Sequence, residues 1–154
     1  MSYRDRVNAA VQTIGTQLGK SLALDEHGTL TLEFAGGRLC WLEASEADSR
    51  VVMSAPVAAA HGEARTAMFE AALQANLHSP RTDHGIVGFD QDGQQLVLMG
   101  TFGGDMDAER LAAAISAFLQ SALALAEKLD EVTRSYRPAA AEALPSDHDL
   151  HFKV

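Results

Sequence analysis

The stretch that decides the fold is Met68-Phe-Glu-Ala-Ala-Leu-Gln-Ala-Asn-Leu-His78, followed after a short loop by Gly85-Ile-Val-Gly-Phe-Asp-Gln-Asp-Gly-Gln-Gln-Leu-Val-Leu-Met99. The first half carries few charges and reads as a helix ending near Asn76. The second half is two apolar runs separated by Asp92-Gly93. Asp-Gly between alternating runs predicts a β-hairpin, because the turn needs residues that tolerate positive φ. The stretch holds no nucleophile with a base, no ligand cluster and no phosphate loop, so it speaks for a binding surface rather than a catalyst.

Toward the N-terminus, Tyr3, Val7, Val11, Ile14 and Leu18 form one apolar stripe at helical spacing, with Ser2 to cap the helix and Gly19 to end it. Residues 22–25 read as a short extended piece. Thr29-Leu-Thr-Leu-Glu-Phe34 alternates strictly and predicts a strand with Leu30, Leu32 and Phe34 on one face. Ala35-Gly36-Gly37 turns the chain into a second strand over 38–44, where Leu39 and Trp41 point one way and Cys40 and Leu42 the other; a third strand follows over 50–57. Trp41, Phe34 and Leu39 are assigned to one sheet face. That face is either core beneath helices or a groove for an extended peptide, and alternation does not decide between them. Residues 39–42 and 51–53 are apolar on both faces, which predicts cover for the second face by a helix, a second subunit or a bound partner.

The helix over 63–77 is apolar around most of its circumference, as a central core helix or a subunit interface would be. Asp105, Asp107 and Glu109 suit the start of a third helix, where carboxylates meet the positive end of the dipole. Leu111, Ile115, Leu125, Leu129 and Val132 carry that helix to about 136–138. The fold class is α+β, in the order α-β-β-β-α-β-β-α, a twisted antiparallel sheet packed with helices. Residues 1–137 form the domain, and 138–154, alanine-rich and then polar with Pro145, form a flexible C-terminal tail.

With 154 residues and 47% hydrophobic content, the chain can bury a real core. A formal net charge of −9 argues against nucleic acid and anionic membranes as partners. The single cysteine, Cys40, excludes an intramolecular disulfide, fits a reducing compartment and reads as a small buried hydrophobe. No apolar run follows the charged N-terminus, and the uncharged run over 111–126 is too short for a membrane span, so the expected location is cytoplasmic. His78, Asp83 and His84 could make an acid/base pair, but they lack a nucleophile. Asp147-His-Asp-Leu-His151 could hold a metal only at a cost in ordering. Asp90 and Asp92 lack the glutamate of a calcium loop, and Gly100-Thr-Phe-Gly-Gly104 lacks the lysine of a phosphate loop. The reading assigns no catalytic residue, no metal and no cofactor.

The helix with Asn76-Leu77, the loop and the pattern Gly85-x-x-Gly88-Phe89-Asp90-x-x-Gly93-x-x-Leu96-x-Leu98 resemble the class I type III secretion chaperones, the Tir-chaperone-like group that binds effectors. The junction from Leu18 to Leu32 and the strand 38–43 are similar to the same family, and the resemblance runs from about residue 2 to about residue 135. It implies a cytoplasmic homodimer, without nucleotide, that holds the N-terminal segment of a secreted effector extended and ready for export, partly by adding a strand to a sheet edge. It leaves room for the secretion apparatus as a further partner. The positions that match its effector-binding surface are Val7, Val11, Ile14, Leu30, Leu32, Phe34 and Trp41; those that match the dimer contacts are Met68, Phe69, Leu73 and Leu77. The alternative is an α+β module of the same shape that regulates a folded partner without a role in secretion. The tail and the alanine-rich third helix depart from the family pattern.

Overall fold

The computed structural model describes residues 1–78 and 85–138. Asp83 and His84, the tail histidines and residues 139–154 of the tail lie outside these described residues. Helix α1 (Tyr3–Gln17) leads into strands β1 (Thr29–Phe34), β2 (Arg38–Ser45) and β3 (Arg50–Ala59). Helix α2 (Arg65–His78), strands β4 (Ile86–Asp90) and β5 (Gln95–Gly103), and helix α3 (Ala108–Ser135) follow. The order is the expected one. The short piece over 22–25 is not a strand.

The strands form one five-stranded antiparallel sheet in the order β1-β2-β3-β5-β4. Alternation decides its faces. Cys40, Leu42 and Ala44 of β2 are buried, as are Val51, Met53, Ala55 and Val57 of β3 and Leu96 and Leu98 of β5. The register stacks these positions, pairing Leu32 with Cys40, Leu42 with Met53, and Met53 with Gly100. Helices α1 and α3 pack on this inner face through Tyr3, Val7 and Val11 and through Leu111, Phe118, Ala122, Ala126 and Leu129. Gly100 makes room for the fully buried Phe118, whose ring would lie 2.9 Å from a Cβ there.

Both long helices begin with matched caps. Ser2 and Asp5 form a reciprocal capping box at α1. Glu46 adds its carboxylate to the same helix end, accepting from the Tyr3 N–H (3.0 Å) and the Arg4 N–H (2.8 Å). Asp107 accepts from the Arg110 N–H at 2.8 Å to start α3. By length and composition α3 could cross a membrane; in this fold its apolar stripe is packed on the sheet and on α1 and α2.

Two expectations are corrected. Phe34 and Trp41 do not share a face: Leu30, Leu32 and Phe34 belong to the helix-covered side, whereas Trp41 pairs with Thr31 and Ser54 on the open side, together with Leu39. The error came from treating Leu39 and Phe34 as neighbours, when the register sets Leu39 opposite Glu33 and Phe34 opposite Arg38. In the hairpin, the loop spans residues 91–94 and the positive φ falls at Gln94 (φ 48°), not in the Asp92-Gly93 pair. Gly93 fits because an added Cβ there would meet the Asp90 carboxylate.

Candidate peptide-binding surfaces

Among the described residues the sheet ends on one side in β1, whose outer edge has no strand beside it. The chain leaving α1 turns back beside it. Gly15 permits this, since a Cβ there would lie 2.7 Å from the Lys20 carbonyl oxygen. The Leu24 N–H then donates to Asn8 Oδ1 (2.9 Å) and the Asp25 N–H to the Thr29 carbonyl (2.8 Å). Between α1, the β1 edge and α3 lies a groove of about 380 Å³. Its walls are Val11, Ile14 and Leu18 from α1, Leu30 and Leu32 from β1, and Ile115 and Leu119 from α3. Leu22 closes one side, and Lys20 and Glu33 supply the charges. Leu18 is 63% exposed although it continues the stripe that buries Val7 and Val11. An apolar channel along a free strand edge can offer backbone hydrogen bonds and side-chain pockets at once.

A second apolar surface surrounds α2. Met68, Ala71 and Ala72 face the core, but Leu73 and Leu77 are 68% and 81% exposed. Phe69 meets Phe89 of β4 edge-on at 5.1 Å between centroids, and the Arg65 guanidinium sits 5.1 Å from each ring. Leu73, Val87, Gly88 and Leu96 complete a shallow depression of about 210 Å³ with these rings. Asn76 ties α2 to β4 through two hydrogen bonds to Val87.

The open sheet face is a third surface. The register aligns Trp41, Ser54, Met99 and Ile86 across four strands. Trp41, Met99 and Ile86 are exposed, as is Leu39 beyond them. Among the described residues, all three helices pack on the other face, and none covers this one.

The structure thus brings Val11, Ile14, Leu30 and Leu32 together in one groove. Val7 is buried in the core, Phe34 packs half-buried against the core, and Trp41 is on the opposite face. Of the α2 positions, Phe69 and Leu73 line the depression, Leu77 extends it in sequence, and Met68 is core. Sequence reasoning did not assign Leu18, Leu22, Ile115 and Leu119 to the groove; Leu18, Ile115 and Leu119 were marked only by helical periodicity, which also marks core, and Leu22 lay in the extended piece over 22–25. Burial pushes the Cys40 thiol up to about 11, as suits a packing residue rather than a nucleophile. Among the described residues, no group of three metal-ligating side chains converges.

The sequence profile of the Tir chaperone protein (CesT) family matches residues 9–126, and the chain belongs to that family. A search of curated proteins by sequence finds no match. Solved structures share the fold. A chain of the ExsC–ExsE complex superposes with a TM-score of 0.72 at 23% identity, over 84% of this chain and 97% of that one. A chain of the HopA1–SchA chaperone–effector complex gives 0.64 at 13% identity, over 80% and 95%. The type III secretion chaperone SycH of Yersinia pestis, in complex with a stable fragment of YscM2, gives 0.57 at 18% identity, over 77% and 98%.

Proposed function

We propose that this protein is a cytoplasmic chaperone that binds the N-terminal segment of a type III secretion effector and keeps it soluble and competent for export. The observation that carries the reading is the groove along the outer edge of β1, where apolar side chains from α1, β1 and α3 line a path beside a strand edge that no other described strand pairs with. A client segment laid there would pair its backbone with β1 and place alternate side chains against Ile14, Leu30 and Leu32. Each apolar side chain fully buried contributes about 1.5–3 kcal/mol, offset by the ordering of the segment. Val7 and Phe34 belong to or pack against the core rather than line this groove. A client that wraps past the sheet edge reaches the open face at Trp41. Family membership and the fold shared with a chaperone–effector complex support the same reading.

The working unit is a homodimer joined through Phe69, Leu73 and Leu77 of α2 and the adjoining β4, with Met68 bracing the helix from within. Two exposed leucines beside an aromatic depression make a self-complementary patch of the kind a two-fold interface uses. No catalytic step, metal or cofactor enters this function.

Capture of the tagged protein from cells that produce it, with limited proteolysis of what is bound, tests the proposal. The expected result is an exported protein protected over a short N-terminal segment. Recovery of folded partners alone, with no protected segment, would overturn it.

A further inference from the structure

We infer that β1 lends a client the edge of Thr31 and Glu33 alone, and so selects a segment that reads basic, apolar, any, apolar from its N- to its C-terminus. The inference rests on reading the β1 groove as the client site. Hydrogen bonds settle which main-chain groups face outward. The Ala44 N–H donates to the Gly28 carbonyl at 2.9 Å, so residue 28 is turned toward β2. Thr29 is turned away: its carbonyl accepts from the Asp25 N–H and its own N–H donates to Asp25 Oδ1, both at 2.8 Å. Antiparallel pairing alternates residue by residue, so Leu30, Leu32 and Phe34 bond toward β2, while Thr31 and Glu33 present N–H and C=O at the outer edge. Among the described residues no hydrogen bond engages those outward groups. Asp25 thus ends the edge at Thr29, as Asn76 closes it at Val87 on the far side of the sheet.

Side chains then set the pattern. Every strand pairing in this sheet is antiparallel, and an added segment of the same sense runs from opposite Glu33 to opposite Leu30. Its residues opposite Leu32 and Leu30 share the inner face and enter the groove against Ile14, Ile115 and Leu119. Its residue opposite Thr31 points to the open face. So does the one opposite Glu33, whose side chain is exposed and, among the described residues, paired with no cation. A client lysine or arginine at that position meets the Glu33 carboxylate across the strands. A cross-strand ion pair of this kind is worth about twofold to fivefold in affinity. After the residue opposite Leu30 the segment leaves the sheet, because Asp25 holds the next position.

The test titrates two end-capped peptides, Gly-Ser-Lys-Val-Thr-Val-Gly-Ser and the same peptide with glutamine for lysine, at millimolar concentration into the isotopically labelled full chain. Both are expected to shift the Ile14, Leu32 and Leu119 methyl signals and to slow amide exchange at Thr31 and Glu33, leaving Thr29 unchanged. The lysine peptide should bind about twofold to fivefold more tightly. Glu33→Gln should remove that preference, whereas Glu43→Gln, the same loss of charge opposite Thr29, should keep it. Methyl shifts without protection of Thr31 and Glu33, equal affinity for the two peptides, or a preference lost equally in both variants would overturn the inference and leave the groove reading standing. Absence of methyl shifts with either peptide would overturn both.

Discussion

Asn76 grips Val87 by both ends of its amide: Nδ2 donates to the Val87 carbonyl at 3.0 Å, and Oδ1 accepts from the Val87 N–H at 2.7 Å. Val87 lies in β4, the outermost strand on its side of the sheet. A side chain from α2 therefore does for this residue what a further strand would do, and it blocks the edge against unwanted pairing. This amide adds to the core contacts of Met68, Ala71 and Ala72 and the Phe69–Phe89 contact in setting α2, with the exposed Leu73 and Leu77, against the sheet.

Asn76→Ala leaves both Val87 groups without that partner and is expected to cost about 1–3 kcal/mol. Asn76→Asp keeps the acceptor but loses the donor, and should fall between the two. Urea unfolding of the three proteins checks the order; equal midpoints would remove the amide's structural role.

At Gly100 the constraint is steric. A methyl group there meets the Phe118 ring, so Gly100→Ala should destabilise by about 1–3 kcal/mol, the usual cost of overpacking. Phe118→Leu in the same chain should recover part of the loss. A double-mutant cycle gives the coupling, and strict additivity would contradict the contact.

The pH dependence follows from Glu46. Hydrogen bonds from the Arg4 and Tyr3 N–H groups hold its carboxyl below the usual glutamate range. A carboxyl with a lowered folded-state value stabilises in full above its unfolded value and loses that contribution as pH falls through the folded one. Glu46→Gln should therefore melt lower than the parent near neutral pH. The gap should narrow as the pH is taken down from about 7 to about 3. A gap that does not change with pH would show that the charge at the start of α1 is immaterial.

Much of this fold was legible because the periodicities are clean. The strict alternation of Thr29–Phe34 and the stripe from Tyr3 to Leu18 gave their elements within a residue or two. What alternation could not give was the pairing register. Without knowing that Leu39 sits opposite Glu33, nothing in the sequence separates Trp41 from Phe34. The groove was half legible for a related reason: Ile14, Leu30 and Leu32 could be named from their stripes, but Ile115 and Leu119 join them only through the packing of α3. Exposure was beyond reach altogether. Met68 and Leu73 look equivalent in the sequence, yet one is 3% exposed and the other 68%.

That contrast makes the dimer testable. Leu73→Asp with Leu77→Asp places two charges on side chains that make little contact within the chain, so the fold should survive. Self-association should weaken by at least about tenfold, or about 1.4 kcal/mol. Sedimentation equilibrium of parent and variant decides. An unchanged mass at every concentration would remove α2 from the interface.

The central claim is that the β1 groove holds the client. The most direct measurement is titration of the client segment recovered by capture into the parent protein and into Leu18→Asp and Leu32→Asp, with unfolding curves recorded alongside. Leu18 is exposed enough that its replacement should leave the fold intact. The account predicts at least a tenfold loss of affinity for both variants, about 1.4 kcal/mol or more, with the Leu18→Asp unfolding curve unchanged. Full affinity in a folded Leu18→Asp and a folded Leu32→Asp would contradict it and move the client elsewhere on the molecule.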